Sequence, residues 1–276
     1  MSATVTAPAE ASSVSPRPAA TPAAAPAAPS LEPSYAALAM LADGAPLAVR
    51  ARIKDQALVP AERAPGVKAG HARLYVEAQT IALIAGRTAL PESLRYLVDV
   101  PLDAKGKPPK LKKREVILFA RPVAGRAGEL QLVAPSAQLA WSAPLEARLR
   151  PILSGFVAAA APPRVTGVRD VLSSVGNLAG ESETQIFLTT ARGEPAALTV
   201  VRRPGMAPRW GVSWTELVDQ SAQPATRDTI AWYRLACTLP AALPASANLA
   251  SDPADRARAE QDYSFVIEQL GPCNRG

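Results

Sequence analysis

The chain has 276 residues, 48% of them hydrophobic, with 30 Lys and Arg against 24 Asp and Glu, one His and two Cys. A His/Cys metal site takes about three or four ligands, and His71, Cys237 and Cys273 lie far apart, so zinc fingers, metalloproteases and cysteine-rich secreted scaffolds are excluded. No uncharged apolar run reaches the roughly 18 residues of a membrane span; the longest, Ile152 to Ala161, is interrupted by Ser154 and Gly155.

Residues 1–34 are almost entirely Ala, Pro, Ser and Thr, with Glu10, Arg17 and Glu32 as their charges. So little bulky apolar surface does not offset chain entropy, and this head is expected to be disordered. It carries −1 of the chain's net +6, which leaves +7 on residues 35–276, a moderate excess that serves solubility and favours anionic partners. A secretory signal needs a basic start and then about 7 to 15 apolar residues; residues 1–30 have neither, and the chain as written is expected in the cytoplasm. The Pro/Ala/Thr tract nevertheless resembles the spacer behind the anchoring cysteine of bacterial envelope lipoproteins. That resemblance covers the head alone, without the signal or the cysteine, and implies a periplasmic or envelope-tethered protein if an export signal has been removed.

Tyr35 to Asp43 reads as a short helical turn or an edge segment. From Pro46 the period becomes two: Leu47, Val49, Ala51 and Ile53 alternate with Ala48, Arg50, Arg52 and Lys54, as in a half-buried strand. A second strand over 72–84 sets Leu74, Val76 and Ala78 on one side and Arg73, Tyr75 and Glu77 on the other. Strands are also predicted over Ser93–Val100, Glu115–Arg121 and Glu129–Ala134, separated by turn-rich stretches. Five strands without a long helix indicate an antiparallel sheet or small barrel.

Pro144 opens a helix over Leu145–Phe156, with Leu145, Leu149, Ile152 and Phe156 on one stripe and Pro151 expected to kink or split it. The Ala/Pro segment 158–163 reads as a hinge and Val168–Val175 as a short helical or loop piece. Thr184–Thr190 and Ala196–Arg202, joined at Arg192-Gly193, form a hairpin signal, and Trp210–Val218 reads as a third strand or a helical turn. An amphipathic stretch, Thr226–Leu239, is followed by a helix that starts at Ser251-Asp252-Pro253, with Ser251 as its cap, and stops at Gly271-Pro272. Tyr263, Val266, Ile267 and Leu270 form its buried face. Cys237 and Cys273 leave two readings open. A bridge would close a loop of about 36 residues, contribute about 3 to 4 kcal/mol and imply an oxidising compartment; otherwise Cys237 is a small core residue and Cys273 a free thiol.

Two clusters are candidates for binding. Lys105, Lys107, Lys110, Lys112, Lys113 and Arg114 form a run of cations without an acid on the connection between the third and fourth strands, where an oligonucleotide-binding type of barrel often places a contact loop. Such a loop either neutralises a polyanion or is a solubilising loop that discourages edge pairing; Tyr75, Tyr96 and Phe119 are the few aromatics nearby. Arg202, Arg203 and Arg209 with Trp210 and Trp214 form either a groove for a peptide or planar anion, through stacking and bidentate pairing, or a loop whose indoles belong to the core. Glu181 and Glu183 sit at a strand entrance as an expected solvated pair, and His71 follows Gly70 in a turn. The chain has no nucleophile elbow, phosphate-cradling loop or dinucleotide fingerprint, so no catalytic residue, metal or cofactor is expected.

The expected fold is therefore α+β: an antiparallel β-rich N-terminal half, a small barrel or sheet of about five strands, then a mixed half with a hairpin and two C-terminal helices. The expected organisation is a disordered head (1–34), a β-rich domain (44–143) and an α+β domain (144–276), separate or packed as one unit. The function expected first is a non-enzymatic binding or structural module for a protein or envelope component. Polyanion or single-stranded nucleic-acid binding through loop 105–114 is the alternative, and a hydrolase with an unrecognisable site is the third.

Overall fold

A computed structural model describes Met1 and residues 32–215 and 222–274. The expectation of disorder over 2–31 lies outside the described residues, as do residues 216–218 of the third strand candidate. Residues 32–34 are ordered against that expectation, because Ser34 caps helix α1 (Tyr35–Gly44): its Oγ accepts from Ala37 N at 3.1 Å, satisfying a backbone donor that helix geometry leaves orphaned. Glu32 joins Arg148 at 2.9 Å.

The fold is mixed α+β, with an antiparallel-rich sheet of six strands, a second sheet of four and four α-helices, two of them C-terminal. The first sheet holds β1 (Leu47–Leu58), β2 (His71–Ala85), β3 (Ser93–Pro101), β4 (Glu115–Pro122), β5 (Glu129–Leu132) and β6 (Gln138–Ala140). β1 is long enough to pair with β2 along one edge and, through Leu47–Arg52, with β4 along the other. The ring β1–β2–β3–β5–β4 is thereby closed into a barrel, and β3 and β5 form its one parallel pair. Bulges in the β1–β2 pairing supply the bend that closure demands.

Helix α2 (Ala143–Val157) starts where Ser142 Oγ accepts from Leu145 N. It runs through Pro151 without the split that was one of the two expectations: Ala147 and Pro151 both face solvent, where a carbonyl that lost its donor is open to hydration. The second sheet, in the order β10–β9–β8–β7, comprises β7 (Val165–Val175), β8 (Ser182–Thr190), β9 (Ala197–Arg202) and β10 (Arg209–Ser213). β7 occupies the stretch read as helix or loop. Two register shifts, between Val165 and Gly167 and between Val168 and Asp170, break the alternation that marks a strand in sequence.

The stretch 226–239 is helical only over α3 (Ile230–Ala236), capped by Thr229. Helix α4 (Pro253–Leu270) is capped by Asp252 and not Ser251: Asp252 Oδ1 accepts from Ala254 N at 2.7 Å and Asp255 N at 3.2 Å. Its C-terminal stop is Gly271, at φ 67°, a conformation that favours glycine. The Cys237 and Cys273 sulfurs lie at disulfide distance, 2.01 Å, joining the ends of α3 and α4.

One contiguous core runs from Leu38 in α1 through Phe119 in β4, Leu149 in α2 and Ile186 in β8 to Tyr263 in α4, and the described residues from Glu32 onward form one compact unit. Buried polar groups pin its parts. Asp43 of α1 accepts from Arg164 at the start of β7 and from Arg234 of α3, the latter at 2.9 Å. Asp262 of α4, fully buried, accepts from Thr184 Oγ1 at 2.5 Å and Arg202 Nε at 2.6 Å, tying α4 to the second sheet. Between barrel and α2, the Arg50 guanidinium lies 3.5 Å above the Trp141 ring and donates to Glu115, while the Trp141 indole donates to Glu146 at 2.7 Å. These bonds, from Trp141 first at Glu146 and from Arg52 and Arg50 at Glu115, hold both carboxyls below the usual carboxylate range. Among the described residues no helix is long and apolar enough to cross a membrane.

Candidate binding cleft

Alternation along β2 and β3 sends Leu74, Val76, Leu94, Tyr96 and Val98 into the barrel core and turns their neighbours outward. The pairing register then sets the outward residues in rows: Arg73 opposite Asp99, Tyr75 opposite Leu97, and Glu77 opposite Arg95. β5 extends the last row, because Arg95 also faces Glu129 across the parallel pair. Along this face, beside the 123–128 connection, lies an open cleft of about 800 Å³ lined by residues that include Arg73, Tyr75, Leu97, Asp99, Arg126 and Glu129.

Its chemistry is sharply arranged. Arg73 forms a two-pronged bond with Asp99, Nε to Oδ1 at 2.7 Å and Nη2 to Oδ2 at 2.9 Å. The bond to Asp99 raises the Arg73 pKa above its ordinary value and fixes the guanidinium in its charged, planar role. Arg73 Nη1 also donates to Pro65 O, which anchors the β1–β2 loop at this end of the cleft. At the other end Arg126 pairs with Glu129 at 3.2 Å. Between the paired charges the floor is apolar, with Tyr75 37% and Leu97 47% exposed. Beneath, the buried Tyr96 hydroxyl donates to Gln138 at 2.6 Å, and burial pushes its pKa upward.

The basic run lies on the β3–β4 connection. That connection is held along β1: Lys113 N donates to Ile53 O and Ile53 N donates to Arg114 O, while the Gln56 side chain donates to Pro109 O and accepts from Leu111 N. All six cations are exposed. Lys112 lies 3.5 Å from Asp55; among the described residues Lys105, Lys107, Lys110, Lys113 and Arg114 have no ion-pair partner.

The Arg/Trp cluster is divided by the structure. Arg202 reaches Asp262, Trp210 is 7% exposed, and Trp214 is half-buried against the core. Arg203 and Arg209 remain exposed beside a recess of about 50 Å³, room for a few waters. Glu181 accepts from Leu178 N in its own turn, Glu183 accepts from the Gln185 amide, and His71 Nδ1 lies 3.2 Å from Ala69 O.

Sequence reasoning identified the outward set Arg73, Tyr75 and Glu77 but assigned it no role, and it missed Arg95, Leu97, Asp99 and Arg126. The signal present was the alternation. The parallel pairing that brings β5 beside β3 has no local signature. Comparison of the sequence with protein-family models and with curated proteins gives no match to either.

Proposed function

We propose that this chain is a non-enzymatic binding module and that the cleft over β2, β3 and β5 seats an extended segment of a protein partner. One observation carries the reading: an exposed apolar pair, Tyr75 and Leu97, forms a floor between two sets of charged residues that already satisfy one another. Apolar floor with few fixed polar groups is the composition of a binding site, and an exposed Tyr supplies large contact area at small entropic cost. Asp99 and Glu129 are occupied by guanidinium partners, an arrangement suited to shaping a groove. The paired cysteines support a compartment in which disulfides persist, compatible with an envelope partner.

Quantitative co-purification from the native host tests this. Wild-type protein is compared with Leu97→Asp and with Leu172→Asp, the latter altering a similarly exposed residue, 48%, of the second sheet. A partner retained by wild type and Leu172→Asp and lost from Leu97→Asp is expected. Equal retention by both variants contradicts the reading.

A further inference from the structure

We infer that the partner segment carries an acidic flank, which lies on a basic end of the barrel contiguous with the cleft. The inference rests on the cleft being the binding seat. Leu102 N donates to Gly70 O at 2.8 Å, so the β1–β2 and β3–β4 connections meet at one end of the barrel. The same β1–β2 loop touches the cleft through the bond from Arg73 to Pro65. Residues 54–70 and 102–114 together hold nine cations and three carboxylates. Two of those carboxylates have internal duties: Asp55 lies by Lys112, and Asp103 Oδ1 accepts from the backbone N–H of Lys105 and Lys107. The second bond pair shapes the turn that presents the lysines, so their charges stay available to a ligand.

The cleft itself decides which polyanion fits. A nucleic acid places a charge at every residue and gains affinity by stacking successive bases on aromatic rings. Here Tyr75 is the exposed aromatic of the face, and its cations Arg73, Arg95 and Arg126 are matched by Asp99, Glu77 and Glu129, so the face offers a phosphate backbone no net positive charge. A polypeptide differs from residue to residue, so apolar side chains can cover Tyr75 and Leu97 while carboxylates of the same strand reach the lysines. Charge complementarity of this kind sets encounter rate and register.

The test uses the full chain with fluorescent poly-L-glutamate, read by anisotropy at low salt and again near physiological salt. Lys105, Lys107 and Lys110→Ser is compared with an equal-charge control, Arg87, Arg203 and Arg209→Ser; all six side chains are exposed, and circular dichroism checks that both variants fold. The lysine variant is expected to weaken binding about tenfold or more and to flatten its salt dependence, whereas the control changes it by less than about twofold. Equal losses in the two variants, or no binding by wild type, overturn the inference; so does tighter binding of an oligo-dT strand at matched salt, which assigns the basic end to nucleic acid. The co-purification result stands separately: a partner lost from Leu97→Asp, with poly-L-glutamate unbound, keeps the cleft and removes the acidic flank.

Discussion

Replacing Asp262 with Asn probes the joint between α4 and the second sheet. The carboxylate is fully buried and accepts from Thr184 Oγ1 at 2.5 Å and Arg202 Nε at 2.6 Å. Asn keeps the volume and removes the charge. Thr184 retains a second hydroxyl neighbour, Ser173 Oγ at 2.9 Å, so the main loss falls on Arg202, whose side chain is 30% exposed and regains part of its hydration. Breaking a buried pair from one side costs about 3 to 5 kcal/mol, and the partial exposure of Arg202 sets the expectation at the lower end, about 3 kcal/mol. For a folded unit of this size that corresponds to a fall in Tm of about 6 to 12 °C. Urea and thermal unfolding at neutral pH measure it. The double variant Asp262→Asn/Arg202→Met is expected to recover part of the loss, since it removes the cation left unpaired. A loss below about 1 kcal/mol, or strictly additive effects, refutes the pairing argument and returns Arg202 to the set of surface arginines available for ligands.

Further expectations follow from other contacts. Replacing Cys237 and Cys273 with Ser opens a loop with a sequence separation of 36 and is expected to cost about 4 kcal/mol in the chain-entropy account; unchanged unfolding midpoints would show that the link carries no stability. Glu115 and Glu146 have folded-state values below their unfolded ones, so their contribution is present above about pH 4.3 and is lost as pH falls through the lower folded values. Thermal scans between about pH 3 and 6 should therefore show a smaller acid-induced decline in Glu115→Gln/Glu146→Gln than in wild type, and parallel declines would contradict the assignment. Gly211→Ala would drive a Cβ into the backbone carbonyl of Ala222, an overpacking cost of about 1 to 3 kcal/mol. A neutral Gly211→Ala would mean that the 222–223 segment yields freely.

The α+β class and most strands were legible because Leu47 to Ile53 and Leu74 to Ala78 alternate cleanly, and because α2 and α4 carry a proline, Pro144 and Pro253, in their first turns. The disulfide was legible only as one of two readings, since each cysteine stands at or near the end of an amphipathic stretch and sequence alone does not bring those ends together. What stayed hidden has physical causes. β7 lost its alternation to register shifts between Val165 and Gly167 and between Val168 and Asp170, β6 spans only Gln138–Ala140, and the Asp252 cap competed with an equally suitable Ser251. The cleft was invisible for a different reason. Arg73 and Asp99, or Arg95 and Glu129, meet only through register and barrel closure, which are properties of non-local pairing. The arginine cluster misled in the opposite direction: Arg202 and Arg203 are adjacent in sequence, yet one enters a buried pair and the other faces solvent.

The most direct measurement of the cleft as the binding seat is photo-crosslinking in the native host, with a benzophenone side chain at position 97 and, separately, at position 172. A discrete crosslinked protein is expected from position 97, absent from position 172 and mapping by mass spectrometry to one acid-flanked segment of that partner. Crosslinks from position 172 alone, or identical products from both positions, would contradict it.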